Sequence, residues 1–454
     1  MPTPSLLIVP SRWKTGNPGK LYSQIPTNGN GDFNVTGVVT GGTSIGTRFN
    51  NIGYIEPITT SGTPRLDYYT SSGVPGCPAL LVEPSGTNVL SYSEDFNNAA
   101  WGKSAMTVST GTTAVFTAPD GTTNADKIIA TTASGVAHSL QRTGLTSAAY
   151  TFSVFAKAGE ESVISLWLRG NTFRAEFNLV SGTISTSTVT SSRIENYGNG
   201  WYRCSVYDST AGTTAAVYGR DGGSYAGNGV NGFYLWGAQV EANSVPTSYI
   251  PTTTATGSRS ADVVSVSGAV SGSIGQTEGT IYLDFSTIVG TNSNVIFTLG
   301  DSGSGQNRLR ILGNPGRELR FLFQLNGGAI QYDFTRTGAV TSLTDFKIAI
   351  AYKSGDIAVA INGVLVNTAS SGLTFNGPLN SVELSAATVG FLTQRYRAVA
   401  LHTTRLTNAD LVLLTLPGNN TYLPQAIWDN YLSRPGNTEV PDCLYTRHAD
   451  LLDV

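Results

Sequence analysis

Residues 194–206 constrain the fold of this chain more than any other stretch. The segment opens with the Asn- and Gly-rich run 196–200, whose turn needs backbone angles that these two residue types reach at little cost. The residues after this turn form two alternating sets: Trp201, Arg203 and Ser205 against Tyr202, Cys204 and Val206. Alternation with a period of two predicts a β-strand with two different faces.

A second aromatic strand is predicted at 232–240, which contains Phe233, Tyr234 and Trp236. Each buried aromatic side chain removes roughly 150–250 Å² from water. Two such strands would give a β-sandwich an aromatic centre. We therefore expect Trp201, Tyr234 and Trp236 to be core residues.

Composition favours many short strands over helices. Of 454 residues, 52 are glycine and 19 are proline, and only 13% are charged. Alternation recurs at 150–157 and 164–169, and Asn362-Gly363 within 357–366 is the strongest local hairpin signal. The sequence predicts an all-β fold with two β-sandwich, jelly-roll-like domains in tandem, an irregular N-terminal segment, and a short C-terminal helix and tail.

The predicted domain boundaries follow changes in composition, with a Pro- and Thr-rich linker between the sandwiches. A helix is predicted at 406–414, where Thr407 can cap the first turn and Asp410 completes a capping box. The tail carries Trp428 and Tyr431 but is too polar for an independent core, so we expect it to pack on a neighbour or over the sandwich. The predicted units are the N-terminal segment 1–75, the first sandwich 76–252, the linker 253–259, the second sandwich 260–416 and the tail 417–454.

The N-terminal segment has only short strand-like pieces, such as 6–9, 32–40 and 52–58. Two interpretations stay open for it: a β-rich lid on the next domain, or an anchor that docks on a partner. Its first ten residues contain a short apolar run without a basic leader, so no secretory signal is expected.

Charge and cysteine usage argue against several classes of protein. The net charge is −3 and no Lys/Arg cluster stands out, so no nucleic-acid partner is expected. No apolar run approaches the ~20 residues of a membrane helix, so no membrane insertion is expected. The three cysteines, Cys77, Cys204 and Cys443, are far apart and odd in number, which favours neither a disulfide framework nor a zinc site.

No catalytic set is predicted. The three histidines, His138, His402 and His448, lie in no motif for nucleophilic catalysis. Glycoside hydrolysis needs two carboxyl groups a few ångströms apart, and any protein with 30 acidic residues offers such pairs. The acids considered are Glu83, Glu94, Asp95, Glu195, Asp221 and Glu241.

No cofactor is predicted, with structural calcium left open. Calcium needs several oxygen ligands close in space, and the segments 120–126 and 301–305 offer Asp, Asn, Ser and Thr oxygens. The other interpretation of these segments is polar turns.

Carbohydrate binding is the most plausible chemistry for a site. Sugars have apolar faces that stack on Trp and Tyr, while neighbouring polar side chains fix their hydroxyl groups. Aromatic residues in or near predicted turns are the candidates for such a contact. These candidates are Trp101, Tyr197, Tyr218 and Tyr225.

Several motifs together carry a family resemblance. They lie at 4–11, 20–23, 31–33, 64–68, 77–84, 92–96 with Trp101, 197–203, 236–241 and 246–252. With them, residues 1–265 resemble tailed-bacteriophage fibre or head-spike structural proteins with carbohydrate-binding-module-like domains. Residues 275–415 resemble, more loosely, concanavalin/laminin-G-like sandwiches, through the Asn362-Gly363 hairpin and the segment 405–411.

The resemblance implies a virion component, assembled in the host cytoplasm, which is a homo-oligomer with a trimer favoured. It implies that the N-terminal segment contacts other virion proteins and that the sandwiches attach to host-surface carbohydrate or decorate the particle. It brings no catalytic residues, so we expect no enzyme, and head and tail locations stay open. The alternatives are a depolymerase or glycosidase acting on host surface glycans, and a carbohydrate-binding module of a secreted enzyme.

Overall fold

The computed structural model describes thirteen stretches of the chain in which β-strands predominate. Within them one α-helix forms, α1 at Asn408–Thr415, so the predicted all-β class is confirmed. The described residues are 2–10, 20–36, 46–109, 116–169, 173–220, 222–287, 294–301, 307–314, 318–325, 328–338, 344–375, 377–384 and 393–417.

The strands fall into three groups along the chain. The first group is β1 (Leu6–Ile8), β2 (Lys20–Leu21), β3 (Phe33–Thr36), β4 (Gly46–Phe49), β5 (Ile55–Ile58), β6 (Leu66–Asp67), β7 (Ala79–Val82) and β8 (Gly86–Asn88). The second group is β9 (Gly102–Ser104), β10 (Met106–Ser109), β11 (Asp126–Ala130), β12 (Val136–Ala137), β13 (Ser139–Lys157), β14 (Val163–Leu168), β15 (Phe173–Asn178), β16 (Thr183–Ser187), β17 (Ser191–Asn196), β18 (Trp201–Gly219), β19 (Ser224–Tyr225) and β20 (Gly232–Glu241). The third group is β21 (Gly257–Arg259), β22 (Val263–Ser267), β23 (Glu278–Thr287), β24 (Asn294–Gly300), β25 (Arg308–Asn314), β26 (Glu318–Gln324), β27 (Ile330–Arg336), β28 (Thr344–Lys353), β29 (Ile357–Ile361), β30 (Val364–Ala369), β31 (Ser381–Glu383) and β32 (Gln394–His402).

The first sandwich is built on the long antiparallel pair β13 and β18. Their register shifts between Thr143 and Tyr150, and the two halves of the pair have different neighbours. One layer, which we call the junction layer, contains β10, β11, β17 and β20 with residues 150–157 and 201–208 of the long pair. The other, the outer layer, contains β9, β14, β15 and β16 with residues 139–143 and 214–219.

Side chains from both layers meet in one core, which includes Leu140, Leu166 and Val217 of the outer layer and Phe152 and Val206 of the junction layer. The predicted two-faced strand is confirmed, because Cys204 and Val206 face this core whereas Trp201 lies on the other side of the sheet. Trp201, Tyr234 and Trp236 are buried as expected. They belong to a second aromatic cluster, on the face of the junction layer that points away from this core.

The second sandwich has two antiparallel sheets over a large apolar core. The helix-side sheet runs β30-β29-β28-β23-β32-β7-β6, with β1 also paired to β32. The opposite sheet runs β2-β3-β22-β31-β24-β25-β26-β27. Leu411 and Leu414 of α1 pack on small side chains of the helix-side sheet, such as Ala349 and Ala360.

Strands β1, β2, β3, β6 and β7 lie in the same two sheets as strands from residues 263–402, whereas β4 and β5 form a separate two-stranded sheet. β1 and β7 pair with β32, and β3 pairs with β22. The first sandwich is therefore inserted into the second in the chain. Strands of the predicted N-terminal segment and strands of the predicted second sandwich belong to the same two sheets. The predicted linker also contains a strand, because β21 pairs with β8. An anchoring contact of the N-terminal segment with other proteins stays a prediction.

Two local predictions are confirmed. Thr407 accepts a hydrogen bond from the backbone N–H of Asp410, whose carboxylate accepts one from the backbone N–H of Thr407, so α1 begins with a capping box. Asn362 and Gly363 connect β29 to β30 with φ values of 46° and 81°. Both values are positive, as an Asn-Gly hairpin turn requires. Trp428 and Tyr431, and with them the predicted packing of the tail, lie outside the described residues.

The two sandwiches meet at a cluster of buried charges. Arg65 contacts Glu83 at 2.7 Å and also pairs with Asp262, while Arg259 lies 3.6 Å from Glu83. All four side chains are at most 3% exposed. The Glu83 carboxylate also accepts from the backbone N–H of Ser248 at 2.8 Å.

Burial by itself would raise the pKa of Glu83, but the guanidinium groups of Arg259 and Arg65 outweigh it and hold that pKa well below its usual value. Glu83 is therefore ionised in the folded protein, and its charge is balanced only by these partners. Removing one partner of a buried pair leaves the other charge uncompensated in a poorly solvated place. Replacement of any one of these four side chains is therefore expected to destabilise the junction.

We predict that Glu83→Gln lowers the free energy of unfolding by about 3–5 kcal/mol, since Arg65 and Arg259 then lose one of the two buried carboxylates that they share. Urea unfolding at neutral pH measures the change. The matched control is Glu56→Gln, which breaks the partly exposed pair with Arg48 and should cost less than about 1 kcal/mol. Equal losses for the two variants would contradict a special role of the buried cluster.

Candidate functional site

The four residues predicted to contact a glycan lie in four different surroundings. Trp101 is 1% exposed, and its indole N–H donates to the backbone oxygen of Tyr92 at 3.0 Å. Its ring packs on Phe96 inside the core of the first sandwich. In this conformation Trp101 offers no free ring face to a sugar.

Tyr197 belongs to the aromatic cluster at the junction. Its ring lies 5.0 Å from the ring of Phe155, 5.6 Å from that of Phe49 and 4.9 Å from that of Tyr69. Burial, with a further contribution from the charge of Glu195, raises the pKa of Tyr197 to about 12. Tyr197 therefore lies in the contact between the N-terminal strands and the junction layer.

Tyr225 closes one end of the first sandwich. Its ring stacks on His138 at 4.3 Å, and the guanidinium of Arg220 lies 4.2 Å above it. Gly219 lies so close that a Cβ there would come within 2.3 Å of the Tyr225 hydroxyl oxygen. A glycine is needed at 219 for this close approach.

Tyr218 is on the outward face of the outer layer, and it is the predicted residue around which a surface site can be built. The outward row places Tyr218 opposite Ser139 of β13 and opposite Ser165 of β14, and Ser165 opposite Glu176 of β15. The next row places Trp167 opposite Arg174. These side chains point away from the core because their neighbours along each strand, such as Leu166 and Val217, point into it.

We call Gln141, Trp167, Arg174, Glu176 and Tyr218 the outer-face patch. The rings of Tyr218 and Trp167 lie 4.3 Å apart and only 30° from parallel. The guanidinium of Arg174 lies 5.0 Å above the Trp167 ring and 3.4 Å from the Glu176 carboxylate. The patch therefore joins two stacked rings to one cation and one anion on the surface of a flat sheet.

Exposure within the patch is uneven. Trp167 is 6% exposed, so it supports Tyr218 from below, whereas Tyr218, Gln141 and Arg174 are partly exposed. A glycine at 222, with φ of 79°, brings the turn after β18 against the edge of the Trp167 ring, where a Cβ would come within 2.4 Å of the ring. The turn and Tyr218 together fix the orientation of the indole.

Polar groups around Tyr218 are connected. The Gln141 side-chain amide donates to Ser139 Oγ at 2.7 Å, and the indole N–H of Trp167 donates to Ser165 Oγ at 2.7 Å. Burial raises the pKa of Tyr218, and the hydrogen bond with Ser139 acts in the opposite direction. The phenol is therefore neutral at neutral pH and can donate or accept a hydrogen bond.

The acids considered for hydrolysis take part in structural contacts. Glu83 belongs to the buried charge cluster. Glu241 accepts from Thr247 Oγ1 at 2.6 Å, and burial raises its pKa. Glu94 accepts from the Tyr249 hydroxyl at 3.0 Å, and Glu195 lies 3.3 Å from Arg193. Asp95 accepts from the backbone N–H of Asn98, and Asp221 lies outside the described residues.

Of the two segments considered for calcium, 120–126 forms a polar turn. Asp120 accepts from the backbone N–H and the hydroxyl of Thr122, and the amide of Asn124 donates to Glu94. Asp301 accepts from Asn307, and the rest of the segment 301–305 lies outside the described residues. Across the stretches that the structure describes, no group of three or more His, Cys, Asp and Glu side chains is arranged to hold a metal ion.

The two described histidines, His138 and His402, are buried. His138 packs on Tyr225, and His402 is 5% exposed, so that burial lowers the pKa of its imidazole to about 4. His448 lies outside the described residues. In the described part of the chain, no helix is both long enough and apolar enough to span a bilayer.

Sequence reasoning did not single out Trp167, Arg174, Glu176 or Gln141. The signal for Trp167 was available in the alternation at 164–169, which places Trp167 with Ser165 on the polar side, away from Ile164, Leu166 and Leu168. Arg174 and Glu176 follow from the same alternation on the next strand. What no local pattern could supply is the pairing of β18 with β14, which brings Tyr218 to Trp167.

Comparisons with known proteins give little. No family model matches the sequence, and no curated protein matches it. Among solved structures, the chain is similar to the carbohydrate-binding module CBM40 of the Ruminococcus gnavus IT-sialidase bound to α2,3-sialyllactose, with a TM-score of 0.27, 15% identity, and coverage of 31% of this chain and 84% of that one.

Two further solved structures are similar over comparable lengths. The binding domain of botulinum neurotoxin serotype D has a TM-score of 0.28 and 10% identity, covering 34% of this chain and 40% of that one. The K499G mutant of the NanB sialidase from Streptococcus pneumoniae has a TM-score of 0.29 and 14% identity, covering 34% and 27%. With TM-scores and identities this low, these partial likenesses support no conclusion about this chain.

One carboxyl group beside the polar turn at 120–126 gives a test by pH. Asp126 is 4% exposed, and burial raises its pKa from 3.8 to about 6, although the backbone N–H of Phe96 donates to it. Since the folded state holds this proton more tightly than the unfolded state, the group stabilises the fold below pH 4, and this contribution is lost as the pH rises through 6.

We predict that the stability of the native protein relative to Asp126→Asn falls between pH 4 and pH 7, because the Asn variant has no proton to lose at this position. Urea unfolding of both proteins across this range measures the difference. Asp356→Asn, at an exposed residue, serves as the control and should show no such fall near pH 6. A difference that rises with pH would contradict the assignment.

Proposed function

We propose that this chain is a non-enzymatic carbohydrate-binding protein of a virion, which attaches to host-surface glycan through the outer-face patch of its first sandwich. The observation that carries the proposal is the stack of Tyr218 on Trp167, with Tyr218 partly exposed on the outward face of a sheet and with Gln141 and Arg174 on the same face. The C–H face of a pyranose packs on such a ring, and flanking amide and guanidinium groups bind its hydroxyl groups.

The geometry of the patch favours binding to an exposed part of a polysaccharide. The patch lies on a broad sheet surface and contains one partly exposed ring, so each contact is expected to be weak. Weak contacts become effective when several copies act together, which agrees with the expected homo-oligomer, a trimer being favoured. The oligomeric state is part of the proposal.

The resemblance of residues 1–265 to tailed-bacteriophage structural proteins supports the virion role. In this proposal the protein is assembled in the host cytoplasm and incorporated into the particle. Strands β1, β2, β3, β6 and β7 of the N-terminal segment are paired within the sheets of the second sandwich, so a contact with other virion proteins would use the surface of this sandwich rather than a detached segment. Head and tail locations are equally compatible with this arrangement.

We predict that Tyr218→Ala weakens binding of the recognised glycan about tenfold, which corresponds to about 1.4 kcal/mol, since the stacking face is lost. A glycan array selects the ligand, and calorimetry measures the affinity. Tyr218→Phe keeps the ring and should lose less. The matched control is Tyr225→Ala, which removes a phenol at another place in the same sandwich and should leave the affinity within about twofold.

Three results would argue against this site. The first is an unchanged affinity of Tyr218→Ala, and the second is an equal loss in Tyr225→Ala. The third is the absence of binding to any host-surface polysaccharide, which would favour a role in particle decoration alone.

The alternative of a depolymerase or glycosidase is tested on the same ligand. We predict that the native protein releases no new reducing ends from a polysaccharide that it binds. Hydrolysis needs two carboxyl groups, and the outer-face patch contains one, that of Glu176. A reducing-sugar assay over prolonged incubation measures this. Release that disappears in Glu176→Gln but persists in Glu318→Gln would overturn the non-enzymatic assignment.

A further inference from the structure

A second charged surface lies on the outward face of the opposite sheet of the second sandwich. Arg308 and Arg310 are two residues apart on β25, and Arg320 is on the neighbouring strand β26. The intervening residues Leu309 and Phe321 are fully buried in the core, so the three arginines point outward. We call these three residues the arginine face.

Cross-strand pairing brings the arginines together. Arg310 lies opposite Leu322 and Arg308 lies opposite Gln324, while Arg320 is two positions before Leu322 on the same side. Side chains directly opposite or diagonal to each other on one face lie within about 8 Å at their Cα atoms. Leu322 is only 5% exposed although it points outward, so neighbouring side chains cover it.

Three described carboxylates lie on the same face: Glu318, two positions before Arg320, together with Asp333 and Glu383. Asp333 accepts from the Arg320 guanidinium, with 2.8 Å between Arg320 Nε and Asp333 Oδ1. The charge of Arg308 acts on Glu383, which lies two strands from Arg310 across Thr298. Among the described residues, Arg320 forms an ion pair with Asp333, but none of these carboxylates forms one with Arg310.

Arg310 is the residue of the arginine face that forms no ion pair with a described carboxylate. Among the described residues its guanidinium has one hydrogen bond, to the side-chain oxygen of Gln324, and its Nε–H is buried without a partner. Burial, followed by repulsion from Arg308 and Arg320, lowers its pKa. Like charges placed this close repel each other, and a buried donor without an acceptor costs free energy.

We propose that the arginine face binds an oxyanion group, sulfate, phosphate or carboxylate, on an acidic polysaccharide. The oxygen atoms of such a group match the parallel N–H groups of a guanidinium, so Arg310 can bind it with two hydrogen bonds. The bound negative charge would also remove the repulsion among the three arginines. Charge complementarity at Arg310 is the reason for choosing an anionic occupant.

This inference does not depend on the proposed function. The outer-face patch is on the first sandwich and offers a ring face, whereas the arginine face is on the second sandwich and offers guanidinium groups. Loss of sugar binding at Tyr218 would leave the arginine face intact. Failure of the one experiment therefore says nothing about the other.

The test uses the full chain and defined polyanions at low salt. Dextran sulfate and polygalacturonate carry sulfate and carboxylate groups, and neutral dextran of the same length is the reference. Inorganic sulfate and phosphate are titrated separately to distinguish a free ion from a group on a polymer. Calorimetry measures affinity, and the shift in melting temperature gives a second readout, since a ligand that binds only the folded state stabilises it.

We expect dextran sulfate to bind the native protein and Arg310→Gln to weaken this binding at least about tenfold, since charge-assisted hydrogen bonds are lost. Arg310→Lys keeps the charge but not the planar group, so its affinity should be intermediate. The matched control is Arg336→Gln, with the same loss of charge at an exposed residue on the same sheet. Because Arg336 lies opposite Leu319, a core residue, it is not on the arginine face, and its loss should change affinity less than about twofold.

Arg310→Gln is expected to fold, because no carboxylate in the described part of the chain pairs with Arg310 and would be left unpaired. Its melting temperature without ligand should equal or exceed that of the native protein. Binding of both inorganic sulfate and the polymer would assign the site to the oxyanion itself, and binding of the polymer alone would assign it to a polysaccharide. Equal affinity for neutral dextran, equal loss in Arg336→Gln, or no response to any of the anions would overturn the proposal.

Discussion

The buried ion cluster at the junction is the interaction on which the rest of the structure depends. Arg65 and Glu83 precede the first sandwich in the chain, and Arg259 and Asp262 follow it. The cluster therefore joins the two segments of chain that connect the first sandwich to the second. Buried charges contribute less to net stability than to geometry, because only one arrangement satisfies all of them. We infer that this requirement fixes how the inserted sandwich is placed on the other.

This placement decides which faces are available for binding. The outward face of the junction layer, with Phe155 and Trp236, is covered by Phe49 and Tyr249, and the helix-side sheet is covered by α1. Within the described residues, the outward surface of the outer layer and the outward surface of the opposite sheet carry polar and charged side chains instead. The two surfaces for which binding is proposed are thus the sheet faces that neither α1 nor the junction covers.

Local features could be predicted from the sequence because their causes are local. The capping box at Thr407, the turn at Asn362-Gly363 and the alternation after Trp201 each depend on residues a few positions apart. Pairing of β1 and β7 with β32 joins residues more than three hundred positions apart, and no nearby residue reports it. The same holds for the site: Trp101 resembles a loop aromatic in sequence, but its burial comes from strands elsewhere in the sandwich.

The two proposed sites recognise different chemistry, and the rigid junction makes their combination useful. A ring face selects the apolar side of a sugar, whereas a guanidinium group selects an anionic substituent. Each site alone is shallow, so neither is expected to bind tightly. When two weak sites are held on one chain, the second contact with the same polymer forms at a high effective concentration. This holds only if the distance between the charged and uncharged residues of the polymer fits the distance between the two sites. The spacing of anionic groups along a polysaccharide, rather than the identity of any single sugar, would then determine selectivity.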